Sequence, residues 1–271
     1  MRCDLHVHSW HSGATTIPLL GRIGRECYSD PLVTVLLPGG RQLHVNVFDI
    51  TERQHLAIQR LRSDAEALFA WLAEEGIPAS VNHLFSALTG ERQLADLRLP
   101  VGRLPLIETL NGAMPESQNE AARLVGRAAS MSSVAGSDAH AAAHVARAFT
   151  TVAGARDKRE YLDGLRRGLG VPCGRSGSYA RLTTEVARIF VAGYQETARE
   201  LLRGEGSLFR TLGFVGLLPL VPLIPLVTLA IFAHEVRFGR AHFRAFQKAY
   251  GWPVEQRPAA LAVVGSLEEA A

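Results

Sequence analysis

The sequence predicts an α/β fold followed by a helical membrane segment, on three observations. Short apolar runs of strand length alternate with stretches of helical period, the pattern of strands covered by helices. Four of those runs stop in His, Asp or Glu: Asp4-Leu5-His6-Val7-His8-Ser9, Ser80-Val81-Asn82-His83, Ile107-Glu108-Thr109-Leu110-Asn111-Gly112 and Gly136-Ser137-Asp138-Ala139-His140. Beyond residue 178 the chain turns amphipathic and then charge-free.

Taken in order, the first strand carries His6 and His8 on one face and Leu5 and Val7 on the other, because strand side chains alternate. Ser9, Ser12 and Gly13 signal a loop, so the histidine pair belongs at the carboxyl end of that strand, where α/β folds place their sites. Ala14 to Asp30, with Pro18, Gly21 and Gly24, reads as loop. Leu32 to Leu37 and Leu43 to Phe48 flank Pro38-Gly39-Gly40 as hairpin arms. His44 alternates with Leu43 and Val45 and reads as the polar face of a strand, since no second ligand is spaced with it. Thr51 with Gln54 forms a capping box opening one long helix to Glu75, closed by Gly76.

Ile77 to Val81 is a strand delivering Asn82 and His83. A lone histidine at a strand end is more often structural, but His83 is the third in a consistent series. Leu104 to Thr109 is the next strand, and Ser117 with Glu120 caps a helix running to Ser130. Glu108 and Asn111 read as a ligand and a substrate contact, or as an Asn-Gly turn beside an acid. After the short strand Ser133 to Gly136, Asp138 and His140 repeat the spacing of His6 and His8. His144, one turn further on, supports the site or faces solvent. Arg159 to Arg167 is helical and Gly168 to Ser178 is a glycine-rich exit.

Imidazole and carboxylate donors together suit Zn, Mn or Fe, and mixed sets of them are the usual ligands of hydrolytic metal clusters. The four strand-end motifs resemble the PHP family, named for polymerase and histidinol phosphatase domains, and the likeness runs from Arg2 to about Ser178. It implies a distorted (β/α)7 barrel with two or three divalent metals (Mn, Zn or Fe) at the strand ends, hydrolysing a phosphate ester. Carried over residue by residue, the metal ligands are His6, His8, His83, Glu108, Asp138 and His140. His6, His8 and Asp138 share one ion; Asp138 and His140 are the catalytic pair. Asn111 and Arg175 would contact substrate, with Arg22 and Arg25 as further anion contacts.

The chain also departs from the family's pattern. A Thr-Asp-His-type motif ending a second strand, and a Glu on the third, are not visible. Arg25-Glu26-Cys27-Tyr28-Ser29 looks like the segment before the second strand and Leu32-Val33-Thr34 like the continuation of the third, so the piece between them is absent. Glu26 or Asp30 are the available substitutes. The expected barrel is therefore incomplete, and two readings stand: a phosphoesterase, or a degenerate domain that binds a metal or phosphorylated ligand without turnover.

Composition bounds the rest. Of 271 residues 47% are hydrophobic, enough for a core, and 29 basic against 26 acidic residues leave a net charge of +3 that implies no general polyanion surface. Nucleic acid enters only as a possible substrate, beside a small phosphorylated substrate and membrane lipid as partners. Cys3, Cys27 and Cys173 lack Cys-x-x-Cys spacing, which fits a reducing cytoplasm. The amino terminus lacks a secretory signal pattern. The expected organisation is a metal-binding domain over 1–178, an amphipathic helix and linker over 179–210, a membrane-embedded segment over 211–233 and a basic, aromatic tail over 234–271. Thr211 to Ala233 carries no charge and is long enough for a bilayer core, but Pro219, Pro222 and Pro225 would kink it. Arg199, Arg203 and Arg210 precede it while Arg237, Arg240, Arg244 and Lys248 follow, so both flanks prefer the cytoplasmic side, as a re-entrant or monotopic hairpin allows. Phe238, Phe243, Phe246, Tyr250 and Trp252, interleaved with those bases, read as an interfacial helix on anionic lipid.

Overall fold

A computed structural model describes residues 1–8, 20–23, 26–29, 32–140, 142–204, 206 and 208–251. The loop expected at Ser9 to Gly13, the anion contact Arg25, the substitute ligand Asp30 and Trp252 lie outside the described residues, as do the side chains of Arg22 and Glu26.

The strands are β1 (Arg2–Asp4), β2 (Leu20–Ile23), β3 (Glu26–Ser29), β4 (Leu32–Leu36), β5 (Gln42–Val47), β6 (Ala79–Val81), β7 (Leu106–Asn111), β8 (Ser132–Gly136), β9 (Ala148–Val152) and β10 (Gly170–Gly174). Helices α1 (Glu52–Leu61), α2 (Ala65–Glu74), α3 (Leu94–Arg98), α4 (Glu116–Ala128) and α5 (Lys158–Arg166) connect them. Three more follow: α6 (Tyr179–Leu202), α7 (Leu208–Leu217) and α8 (Ile224–Tyr250), with a 3-10 turn at Leu218–Leu223 between the last two.

Two five-stranded sheets result, ordered β10-β9-β1-β3-β2 and β4-β5-β6-β7-β8. They meet beyond the ends of β1 and β8, where Val7 pairs in parallel with Ala139, Asp138 N donates to His6 O (2.7 Å) and His8 N donates to Ala139 O (3.0 Å). A buried Asn46 amide on β5 also donates to Leu5 O, 2.7 Å away. The fold is mixed α/β, as expected, and among the described residues no closed barrel forms, so the expected incomplete (β/α)7 barrel holds only as far as that class. The reason lies in the pairing: only β1 with β3, β6 with β7 and β7 with β8 are parallel, while β9, β10 and the β4–β5 and β2–β3 pairs run antiparallel. Antiparallel neighbours need no crossover helix, so the strict strand–helix alternation lapses at both ends.

Local differences from the expected elements have local causes. The stretch expected as loop contains β2 and β3, paired from Leu20 opposite Ser29 to Ile23 opposite Glu26. The capping box at Thr51 and Gln54 forms, but the long helix breaks after Leu61 because Asp64 caps a second one by accepting Ala67 N at 3.1 Å. The glycine-rich exit contains β10.

The main core packs β4 to β7 against α1, α2 and α4 through Val35, Leu43, Val45, Ile58, Leu68, Phe69 and Val125, all buried. A second cluster, Leu5, Leu106, Val134, Val152 and Leu165, lies beneath α5. Phe246 of α8 belongs to the main core, fully buried with its ring 6.2 Å from that of Phe85, and Phe243 packs beside it. Tyr250 Oη donates to Leu94 O at 3.4 Å. This corrects the reading of Phe243 and Phe246 as lipid-facing: they seat α8 on the α/β body, while Tyr250 stays exposed. The helical run Thr211–Tyr250 is long and apolar enough to cross a membrane.

Candidate metal centre

The elements deliver their polar residues to one place. His6 and His8 come from the end of β1, His83 from the turn after β6, Glu108 and Asn111 from β7, and Asp138 and His140 from the turn after β8. Parallel β6, β7 and β8 end at a common level, and Gly136 lets β1 close on β8. A Cβ at Gly136 would sit 2.2 Å from His6 Cβ and 2.6 Å from His6 N.

Asp138 is the hub. Its Oδ1 lies 3.1 Å from His8 Nε2 and 3.4 Å from His6 Nε2, and its Oδ2 accepts from Asn111 Nδ2 at 3.2 Å. The His8 and His140 rings stack at 4.2 Å. His140 Nδ1 sits 3.1 Å from Asp138 O, which makes Nδ1–H the donor and leaves Nε2 free. Glu108 Oε1 lies 2.8 Å from His6 Nδ1, while its Oε2 accepts from His83 N (2.9 Å) and Asn111 Nδ2 (2.9 Å). Expected as a ligand, Glu108 is engaged through both oxygens and stands as the carboxylate that orients His6. His83 and Asp138 hold φ of 29° and 52°, left-handed conformations that cost about 1–3 kcal/mol each and recur at functional sites.

Electrostatics follow from burial and pairing. Burial opposes charge on His6, but Asp138 and Glu108 outweigh it and lift the imidazole to about 9. Burial would likewise raise Asp138; His6 and His8 overcome this and hold its carboxyl well below the usual range. Burial pushes His83 well below its ordinary value and lowers His140. An ionised carboxylate beside the neutral imidazoles of His83 and His140 is a donor set for a divalent cation, which His6 joins on losing its proton. Two groups have ligand atoms within 4.8 Å of one another: His6, His83 and Asp138, and His8, Asp138 and His140. His83 Nδ1 and His6 Nε2 are buried without a hydrogen-bond partner, so an ion would satisfy groups that otherwise stay orphaned. The residues fit the metal that the motifs imply.

Six of the expected site residues and Asn111 therefore converge; Arg175 does not. It lines a separate cleft with Arg147, Ser176, Ser178 and Arg181. That cleft adjoins the centre through Arg181, whose guanidinium donates to Gly112 O and, at 3.0 Å, to Ser137 O. Sequence reasoning missed His44, whose Nδ1 is 3.2 Å from His83 Nε2 and whose pKa burial lowers to about 4. It also missed Asp4, whose carboxylate accepts from Ser137 N (2.8 Å) and Ala146 N (2.7 Å) and so fixes the Asp138 turn from below. Asp4 is buried enough that its pKa rises to about 6. His144 is buried against Glu185 of α6 rather than solvated.

Fold and site together define a mixed α/β protein with a histidine and carboxylate cluster at its strand ends. The family described as PHP-associated matches residues 116–168, spanning α4 to the end of α5, and supports a PHP-family relationship. No curated protein matches the chain. The crystal structure of PsfC from Pseudomonas syringae PB-5123 is similar at a TM-score of 0.47 and 14% identity, covering 69% of this chain and 97% of that one.

Proposed function

We propose that the chain is a membrane-associated, metal-dependent phosphoesterase of PHP type. The convergence of His6, His8, His83, Asp138 and His140 from three strand ends onto two potential ligand groups carries this reading. His6, His83 and Asp138 would hold one divalent ion, with His44 beside His83, and His8, Asp138 and His140 a second. A bound divalent ion would lower the pKa of a water molecule and offset charge on phosphoryl oxygens. The chain's own groups then orient and protonate. Glu108 keeps the His6 proton on Nδ1, so that Nε2 faces the centre. Asn111 Nδ2 ties Glu108 to Asp138 and holds the shared carboxylate in place. His140 keeps its proton on Nδ1, directed at Asp138 O, and offers Nε2 outward. The cleft of Arg147, Arg175 and Arg181 would receive the anionic part of the substrate, a nucleotide, an oligonucleotide or a sugar phosphate.

The test is hydrolysis of a phosphomonoester, a phosphodiester and a short oligonucleotide by purified protein loaded with Mn or Zn, beside a His8→Ala control. Turnover no greater than the control's for every substrate sinks the catalytic reading. One observation favours the alternative, a degenerate domain that binds metal or phospho-ligand without turnover: β4, which resembles the continuation of the family's third strand, contains no acid, and its Val33 and Val35 lie in the core. Robust metal-dependent turnover abolished by Asp138→Ala would exclude that alternative.

A further inference from the structure

The apolar stretch is held by one body at both of its ends. On the entry side, Arg181 of α6 is buried and donates to Gly112 O and Ser137 O, within the turns that carry the metal-site residues. On the exit side, Thr228 of α8 meets Thr183 of α6 with hydroxyl oxygens 2.7 Å apart, and Tyr179 Oη donates to Pro225 O at 3.0 Å. Further along α8, buried Glu235 accepts from Ala87 N (3.1 Å) and Gln118 Nε2 (2.8 Å). Gly239 lies so close to α4 that a Cβ there would sit 2.6 Å from Gln118 Cγ, and Phe246 is in the core. A helix crossing the bilayer through Thr211 to Ala233 would put Glu235 and Phe246 on the face opposite the α/β body. The contacts of Glu235, Gly239 and Phe246 with the α/β body forbid that.

What projects is an arm, described over residues 190–204, 206 and 208–222. It comprises the outer half of α6, α7 and the 3-10 turn. Its large apolar side chains stand in the open: Leu202 is 88% exposed, Leu208 74% and Leu212 61%, followed by Val215, Leu218 and Leu220. Pro219 and Pro222 in the turn have no backbone donor to strand in hydrocarbon. Exposed Arg188 and Arg199 on α6 and Arg203 at its cap stand beside exposed Glu196 and half-buried Glu200, and exposed Arg237, Arg240 and Arg244 on α8 make the excess basic. Apolar surface rimmed by bases is the pattern of a segment lying in an anionic interface.

We infer that the arm enters a single leaflet of an anionic bilayer and does not cross it, so that the α/β body and the carboxyl-terminal half of α8 stay on one face. This rests on the membrane association proposed above and fixes its topology. It is tested on the full chain with Cys3, Cys27 and Cys173 changed to Ser and one new cysteine, Glu74→Cys on α2 or Lys248→Cys on α8, both exposed positions. Right-side-out and inside-out vesicles from expressing cells are treated with a membrane-impermeant maleimide. Both cysteines are expected to label from the same face, in the same vesicle type. Labelling from opposite faces overturns the one-leaflet topology while leaving membrane association standing. Protein that stays out of the vesicle fraction and runs as a dimer overturns both, with a second copy covering the arm. Should the cysteine replacements impair folding, protease protection of a carboxyl-terminal epitope tag on the chain with native cysteines separates the same two topologies.

Discussion

His6 carries a proton in the metal-free protein because carboxylates flank both its nitrogens, Glu108 at 2.8 Å and Asp138 at 3.4 Å. Its folded pKa, about 9, lies above its ordinary 6.5. The stabilisation is therefore fully present below pH 6.5 and is lost as pH rises through about 9. Metal-stripped protein should melt at progressively lower temperature across that window, and His6→Gln should flatten the profile. An undiminished slope in His6→Gln would remove His6 as its cause. An ion that takes Nε2 must displace this proton, so titrating metal at neutral pH should release close to one proton per ion at the His6 group. Glu108 offers a sharper distinction between ligand and orienting group. As the group orienting His6, its replacement in Glu108→Gln should cost about 10–100-fold in metal affinity while the number of ions bound at saturation is unchanged. Chelator competition with elemental analysis reads both quantities, and loss of a whole ion would make Glu108 a ligand after all. The His-x-His and Asp-x-His pairs are legible in sequence because their spacing alone puts two donors on one face. His44 is not, because its partner is 39 residues away and only the β5–β6 pairing brings them together.

At the scale of elements, the site depends on how closely the β1 and β8 ends approach. Gly136→Ala would force its new methyl against His6 Cβ, 2.2 Å away, and the backbone beside it cannot rotate aside as a flexible side chain could. Overpacking of this kind typically costs about 1–3 kcal/mol. The expected result is a lower Tm together with weakened metal binding, since the displaced atoms belong to a candidate ligand. Gly213→Ala on α7 is the control: nothing lies within 4 Å of its new methyl, and relieving a helical glycine is worth about 0.5–1 kcal/mol. Equal losses in both variants would deny the close approach its role. The elements that sequence revealed are those fixed by local chemistry, such as the Thr51–Gln54 box and the apolar run of β7. Those it hid are decided by distant partners: Phe149, Thr150, Thr151 and Val152 favour a strand locally, but only pairing with β1 and β10 sets where β9 lies in the sheet. Asp64 did carry one, as an N-cap inside a helical pattern, and it splits α1 from α2.

For the whole molecule, the arm and the centre share their attachments. Arg181 roots α6 at Ser137, next to Asp138, and Glu235 roots α8 at Ala87, four residues past His83, so the helices that carry the exposed apolar arm are bonded to the turns that hold the candidate ligands. The charge-free stretch was visible in the sequence, yet nothing local distinguishes the more exposed aromatic residues of α8 from Phe246, which fills the core beside Phe85. This predicts an asymmetry between two variants. Replacing residues 190–222 with about eight Gly and Ser residues, which span roughly 15 Å as coil, should be tolerated because α6 and α8 already touch at Thr183 and Thr228. That variant should leave the membrane fraction and keep the metal content and Tm of the full chain. Phe246→Ala, by contrast, empties a fully buried aromatic site and should cost about 3–5 kcal/mol. Fractionation, elemental analysis and thermal melts on the two variants decide it: an arm deletion that loses its metal would mean that the arm supports the centre, and a Phe246→Ala protein as stable as the parent would detach α8 from the body.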